Sequence, residues 1–169
     1  KRWEEGGAGA VVLKSLFEEE IEAEADWMQE GVHAEEWDYL KTYQRAHRLD
    51  EYLKLIRETK AVCTIPVIAS INCSRLTEWT EFAKQIEQAG ADALELNIMS
   101  VCTEVDAEYG SFERDHVEIV KKIKQTVAMP VIVKLGKNLT NPLLLVQELY
   151  ANGASGVVMF NRMVTPDIF

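Results

Sequence analysis

The feature that most constrains this chain is an internal repeat. Ile65-Pro66-Val67-Ile68-Ala69-Ser70 returns 64 residues later as Met129-Pro130-Val131-Ile132-Val133-Lys134, and Gln88-Ala89-Gly90-Ala91-Asp92-Ala93 returns after 63 as Ala151-Asn152-Gly153-Ala154-Ser155-Gly156. Each copy opens on a short β-rich run and later stops a helix at a glycine before the next run. Runs that are apolar on both faces suit parallel strands covered by helices. Two βα units per copy, joined by right-handed crossovers, predict an α/β fold: a TIM (β/α)8 barrel, partial, with about five consecutive βα units present. A flavodoxin-like sheet also takes five parallel strands, but no GxGxxG or GxxxxGK[ST] fingerprint supports it.

The remaining elements follow from periodicity and stop signals. Residues 10–15 read as a strand after the Gly6-Gly7-Ala8-Gly9 turn. Residues 16–30 read as a helix with Leu16, Phe17, Ile21, Ala25 and Met28 near one face, its acids on a solvated face, and Gly31 as its stop. Residues 32–49, with His33, His47, Trp37, Tyr39 and Tyr43, read as an excursion or lid. Asp50 caps a helix to about Cys63 with Leu53, Ile56 and Ala61 inward. Strands are expected at 66–72, 93–98, 130–135 and 156–160. Helices are expected at 77–89, with Trp79, Phe82, Ala83 and Ile86 inward, and at 113–127, with Val117, Val120, Ile123 and Val127 inward. A third, at 142–152, is started by Asn141-Pro142 and stopped by Gly153.

Charge and composition remove several function classes. Asp and Glu outnumber Lys and Arg 28 to 18, a net charge of -10, which argues against a grip on nucleic-acid backbone. Cys63, Cys73 and Cys102 are far apart with no CxxC spacing, so neither a disulfide scaffold nor a zinc site is indicated, and no other metal motif occurs. No apolar run approaches the roughly 20 residues of a membrane span, and no secretory leader opens the chain. A cytoplasmic protein of one domain, residues 1–169, is expected, with no membrane partner and a homodimer allowed. Its start without Met, in what reads as a helix end, suggests a fragment lacking the first and last strands of the barrel.

Polar residues cluster at the strand exits: Lys14 and Ser15, Ser70 and Asn72, Asn97, Lys134, and Asn161-Arg162. In a barrel these converge on the C-terminal mouth, where such folds carry their chemistry. Two ammonium groups and several carboxamides suit an electron-rich planar ligand, and a flavin that becomes anionic on reduction fits them well. Glycosidase chemistry would want carboxylates at strand ends, and Glu95 is a mid-strand residue. A non-flavin barrel enzyme that uses the lysines on a phosphorylated metabolite is the alternative, as is a non-catalytic paralogue.

Taken together, AGAGAVVLKSLFEEEI, IPVIASINC, AGADALELNI, MPVIVKLGKN and GASGVVMFNRMVTPDI resemble the FMN-dependent dihydroorotate dehydrogenases, closest to the dihydroorotate dehydrogenase-like branch, from about Gly7 to Asp167. The resemblance implies oxidation of dihydroorotate or a similar dihydropyrimidine in pyrimidine biosynthesis, by hydride transfer to FMN, with a base taking the neighbouring proton. It implies that Lys14 touches flavin and the substrate carboxylate, with Ser15 in the cofactor set, and that Lys134 lies beside flavin N1. Ser70 joins the cofactor set, Asn97 contacts flavin and substrate, and Asn161 contacts substrate. Ser100 falls at the family's base position, three residues after Asn97, and Cys102 is the fallback. The family continues with proline and asparagine after the base, where this chain has Val101-Cys102. The phosphate loops implied after the seventh and eighth strands lie past the last residue of this chain.

Overall fold

A computed structural model describes residues 1–17, 34–72, 76–98, 108 and 110–161. Along the chain run α1 (Arg2–Glu5), β1 (Val11–Val12), β2 (Leu16–Phe17), α2 (Ala34–Val62), β3 (Val67–Asn72) and α3 (Leu76–Gln88). After these come β4 (Ala93–Ile98), α4 (Ser111–Thr126), β5 (Val131–Leu135), α5 (Pro142–Ala151) and β6 (Gly156–Met159). All strand pairs are parallel, in the order β1-β3-β4-β5-β6, with β2 also on β3. From β3 onward, strands consecutive in the chain are neighbours in space. A doubly wound sheet reverses its order at a switch point, so the flavodoxin-like alternative is excluded and the fold is a partial TIM barrel.

The repeat governs the register. Ile68 pairs with Ala93 in β3–β4, and 64 residues on Ile132 pairs with Gly156 in β5–β6. Successive strand residues face opposite sides. On the convex side Ala69, Ile71, Leu94, Leu96, Val131, Val133 and Leu135 are fully buried, and they join one core with Ile56, Trp79, Phe82, Ile86, Val120, Ile123 and Leu149 from the helices. The stops are as expected: Gly90 and Gly153 adopt φ of +94° and +100°, conformations that cost a residue with a Cβ. Asn141 caps α5, its Oδ1 accepting from Leu144 N at 3.1 Å, with Pro142 next.

At the N-terminal end of the strands, carboxylates serve the backbone. Asp92 accepts from Val67 N at 2.7 Å and pairs with Lys60, and Glu87 accepts from Ala128 N and Met129 N, both at 2.8 Å. These contacts hold the frame, which is the usual role of that barrel face.

Three expectations need correction. Leu16 and Phe17 are not the start of a helix. They form β2 on Ile71 and Asn72, while the rest of the expected helix lies outside the described residues. Asp50 caps no helix, because α2 runs unbroken through it from Ala34, and residues 34–49 are helical, consistent with the absence of Gly and Pro between Ala34 and Val62. Within it Leu49, Tyr52, Leu53 and Ile56 are buried at i, i+3, i+4 and i+7, whereas Ala61 is exposed.

Candidate functional site

The concave side of the sheet carries the polar strand residues. By strand alternation Ser70 and Asn72 on β3, Glu95 and Asn97 on β4, and Lys134 on β5 share this side with Ile68, Ile132 and Val158. Ser70 lies beside Glu95 and Asn97 beside Lys134 in the pairing register. The half-buried Ile68 and Ile132 and the exposed Val158 give the face an apolar bed between its polar groups.

β1 reaches this face through a register change. Val12 pairs with Ile68, but Leu16 pairs with Ile71, so three residues, Leu13 to Ser15, stand opposite two. The extra residue is a bulge, which breaks the ladder and re-aims its side chains. Tyr52 of α2 fills the break: its hydroxyl donates to Ser70 O at 2.9 Å and accepts from Ser70 N at 2.8 Å. Burial pushes the Tyr52 phenol up to about 12, and the nearby Glu95 carboxylate adds to that against the Ser70 hydrogen bond. The phenol therefore stays neutral and can both donate and accept. Lys14 sits in the bulge, exposed, and Ser15 follows it half-buried.

A string of polar contacts then crosses three strands. Ser15 Oγ is 2.7 Å from Ser70 Oγ, Ser70 Oγ donates to Glu95 Oε1 at 2.8 Å, and Lys134 Nζ lies 3.7 Å from the same Oε1. As the partner of an ammonium, the Glu95 carboxylate can only accept. Ser70 therefore spends its one proton on Glu95, and Ser15 must be the donor to Ser70. At the outer end of the face, Asn161 Nδ2 donates to Asn97 Oδ1 at 2.7 Å. Ser70 and Lys134 stand at equivalent positions of the repeat, 64 residues apart, whereas the register equivalent of Asn97 is Phe160, and Asn161 is the next residue along.

The structure thus brings together Ser15, Ser70, Asn97, Lys134 and Asn161, and places Lys14 in the adjoining bulge. Ser100 and Cys102 lie outside the described residues. Sequence reasoning missed Glu95 and Tyr52. Counting back two residues from Asn97 would have put Glu95 on the same face, whereas nothing local marks Tyr52. It also missed His116 on α4, which is 1% exposed, with Nδ1 2.7 Å from Phe112 O and the Phe112 ring edge-on at 4.7 Å. Burial lowers its pKa and keeps it neutral, and its Nε2 has no partner among the described residues.

The donor set of the concave face fits the ring of FMN. Lys134, a quarter exposed, offers an ammonium beside the Asn97–Asn161 carboxamides, and Ile68, Ile132 and Val158 offer apolar surface to a planar ligand. A separate cavity of about 430 Å³ between α4 and α5, lined by Val117, Leu144 and Leu145 among others, includes none of these residues. Among the described residues no group of three or more His, Cys, Asp or Glu could hold a metal ion, and no helix is long and apolar enough to cross a membrane.

The profile of the dihydroorotate dehydrogenase family matches residues 31–167. The chain belongs to the dihydroorotate dehydrogenase family. Tyr52, Ser70, Glu95, Asn97, Lys134 and Asn161 fall inside the matched span, whereas Lys14 and Ser15 precede it. One relative, the catalytic subunit of dihydroorotate dehydrogenase B (NAD(+)) from Geobacillus sp. (strain WCH70), is 35% identical over 104 residues, 59% of this chain and 33% of its own. A dihydroorotate dehydrogenase A (fumarate) from Lactobacillus delbrueckii subsp. bulgaricus (strain ATCC BAA-365 / Lb-18) is 31% identical over 116 residues, 66% of this chain and 37% of its own. The chain spans about a third of the length of these relatives. Among solved structures, dihydrodipicolinate synthases from Agrobacterium tumefaciens str. C58 and Oceanobacillus iheyensis superpose with TM-scores of 0.53 and 0.51 at 21% and 19% identity. They cover 66% and 68% of this chain and 37% and 36% of their own. That likeness is one of fold alone.

Proposed function

We propose that the protein is an FMN-dependent oxidoreductase that oxidises dihydroorotate or a similar dihydropyrimidine, with residues 1–169 forming part of its barrel domain. The observation that carries this is the joined pair Asn97–Asn161 beside Lys134 on the concave face of a chain in the dihydroorotate dehydrogenase family. FMN, when bound, supplies the acceptor for a hydride from one ring carbon. Lys134 holds positive charge at that face and favours the negative charge that reduction brings. Asn97 and Asn161 hold each other in one orientation, so their amides meet a ligand preorganised rather than turning to find it. Ser15 and Ser70 brace the floor of the site, and Lys14, in the bulge, attracts the substrate carboxylate. Ser100, or Cys102 in its place, takes the proton from the carbon next to the hydride donor. The ring then gains a double bond as one hydride and one proton leave it.

Two measurements on the full-length protein test this. Reconstitution with FMN should give about one flavin per chain, and Asn97→Ala or Lys134→Ala should weaken binding at least tenfold, the loss of about 1.4 kcal/mol expected for a charged or bidentate contact. Ser100→Ala or Cys102→Ala should abolish turnover in one case while flavin binding persists in both. Equal activity in the two variants removes both as the base.

A further inference from the structure

Glu95 is a costly residue where it stands. Its side chain is 7% exposed in the middle of a strand flanked by Leu94 and Leu96, and a buried carboxylate is destabilising unless it is paired and hydrogen-bonded. The second copy of the repeat has no acid there. The repeat places Val158 at the equivalent register position: Glu95 pairs beside Ser70, and Val158 beside Lys134, with the same strand alignment. The second copy thus carries an apolar residue at that register position, at the half-open edge of the sheet.

The acid has one consequence that a valine would not have, which is its effect on Lys134. At 3.7 Å the ammonium feels the carboxylate strongly, yet the distance exceeds the 2.7–2.9 Å of a charge-assisted hydrogen bond. Lys134 is thus electrostatically held without spending its N–H donors on Glu95. Ser70, which donates to the same oxygen and accepts from Ser15, fixes the carboxylate from the other side. We propose that Glu95 is a positioning residue that sets how much positive charge Lys134 presents to the cofactor ring, and so how readily that ring accepts electrons. The inference rests on the flavin reading of the site and adds to it a residue that touches neither cofactor nor substrate.

The test is sulfite binding to the FMN-loaded full-length protein, followed by loss of visible flavin absorbance, because adduct formation puts negative charge on the ring without turnover. Glu95→Gln removes the charge and keeps the shape. It should tighten sulfite about tenfold, equivalent to raising the two-electron potential by about 30 mV. In a Lys134→Gln background the same substitution should change sulfite affinity less than twofold. An affinity within twofold of wild type in Glu95→Gln overturns the proposal, and so does an equal gain in the Lys134→Gln background, since Glu95 would then act on the ring directly. If Glu95→Gln does not fold, Glu95→Asp, which draws the charge one methylene away from Lys134, should tighten sulfite two- to threefold, and no change overturns the proposal. Wild-type protein that takes up no FMN defeats the flavin reading and this inference with it. FMN uptake with unmoved sulfite affinity defeats this inference alone.

Discussion

The two copies of the repeat share a frame and differ in charge. β3 and β4 set Ser70, Glu95 and Asn97 along the concave face; β5 and β6 set Lys134 and Val158 at the register positions of Ser70 and Glu95, and Asn161 follows β6, one residue past the register position of Asn97. Asn97 and Asn161, which are not at equivalent positions of the two copies, join each other across this face. Where the copies diverge, the first contributes an acid and the second a base, and these meet as an ion pair. Duplication of a βα frame therefore supplies a shared register, and divergence within it supplies the charge pair. Burial diverges too: β4 is buried along its whole length, whereas β6, at the sheet edge, is half-buried to exposed.

That contrast predicts unequal costs at equivalent positions. Leu94→Ala, in the closed core, should cost about 3 kcal/mol, whereas Val157→Ala, its half-buried counterpart in the second copy, should cost about 1. Urea midpoints at constant slope would measure both, and equal losses would mean that β6 is as well packed as β4. Tyr52→Phe comes next. It strands the N–H and C=O of Ser70, which should cost about 2 kcal/mol, while the corresponding Lys134 backbone has ladder partners on both sides. The two glycine stops should each lose about 1 kcal/mol on substitution by Ala, from the left-handed backbone alone. Gly153→Ala should lose a few tenths more than Gly90→Ala, because its new Cβ would meet Lys124 Cγ at 3.1 Å whereas nothing lies near Gly90.

The smallest effect is a pH dependence confined to the first copy. Burial would raise the Asp92 pKa, but hydrogen bonds from Lys60 and Val67 N outweigh it and the folded value is lowered. A lowered folded value means that the stabilisation is complete above the unfolded aspartate value of about 3.9 and is lost as pH falls through the folded one. Chemical denaturation below pH 4 should therefore show a steeper loss for wild type than for Asp92→Asn. Ser155→Ala, the counterpart in the second copy, should leave that slope unchanged.

Much of the frame was legible because the repeat writes it twice. Pro66 and Pro130 open strands, Gly90 and Gly153 stop helices, and Asn141-Pro142 starts one, each for a local backbone reason. Lys134, Asn97 and Asn161 were legible as strand-exit polar residues in a fold whose exits converge. Glu95 was set aside because position in the strand was weighed without counting which face it shares. The bulge after Val12 and the bridge from Tyr52 come from a register between segments far apart in sequence, and no periodicity within either segment encodes it. The second half of α2, from Asp50 on, is legible from its apolar spacing; its first half, where aromatics and histidines suggest an excursion or lid, holds nothing that breaks a helix.

The concave face is proposed to hold FMN and to serve the oxidation of a dihydropyrimidine. Anaerobic titration of the FMN-reconstituted full-length protein with dihydroorotate tests it most directly. Stoichiometric bleaching of the flavin absorbance by dihydroorotate is expected. A protein that stays colourless after reconstitution, or whose bound flavin stays oxidised in excess dihydroorotate and related dihydropyrimidines, would contradict it.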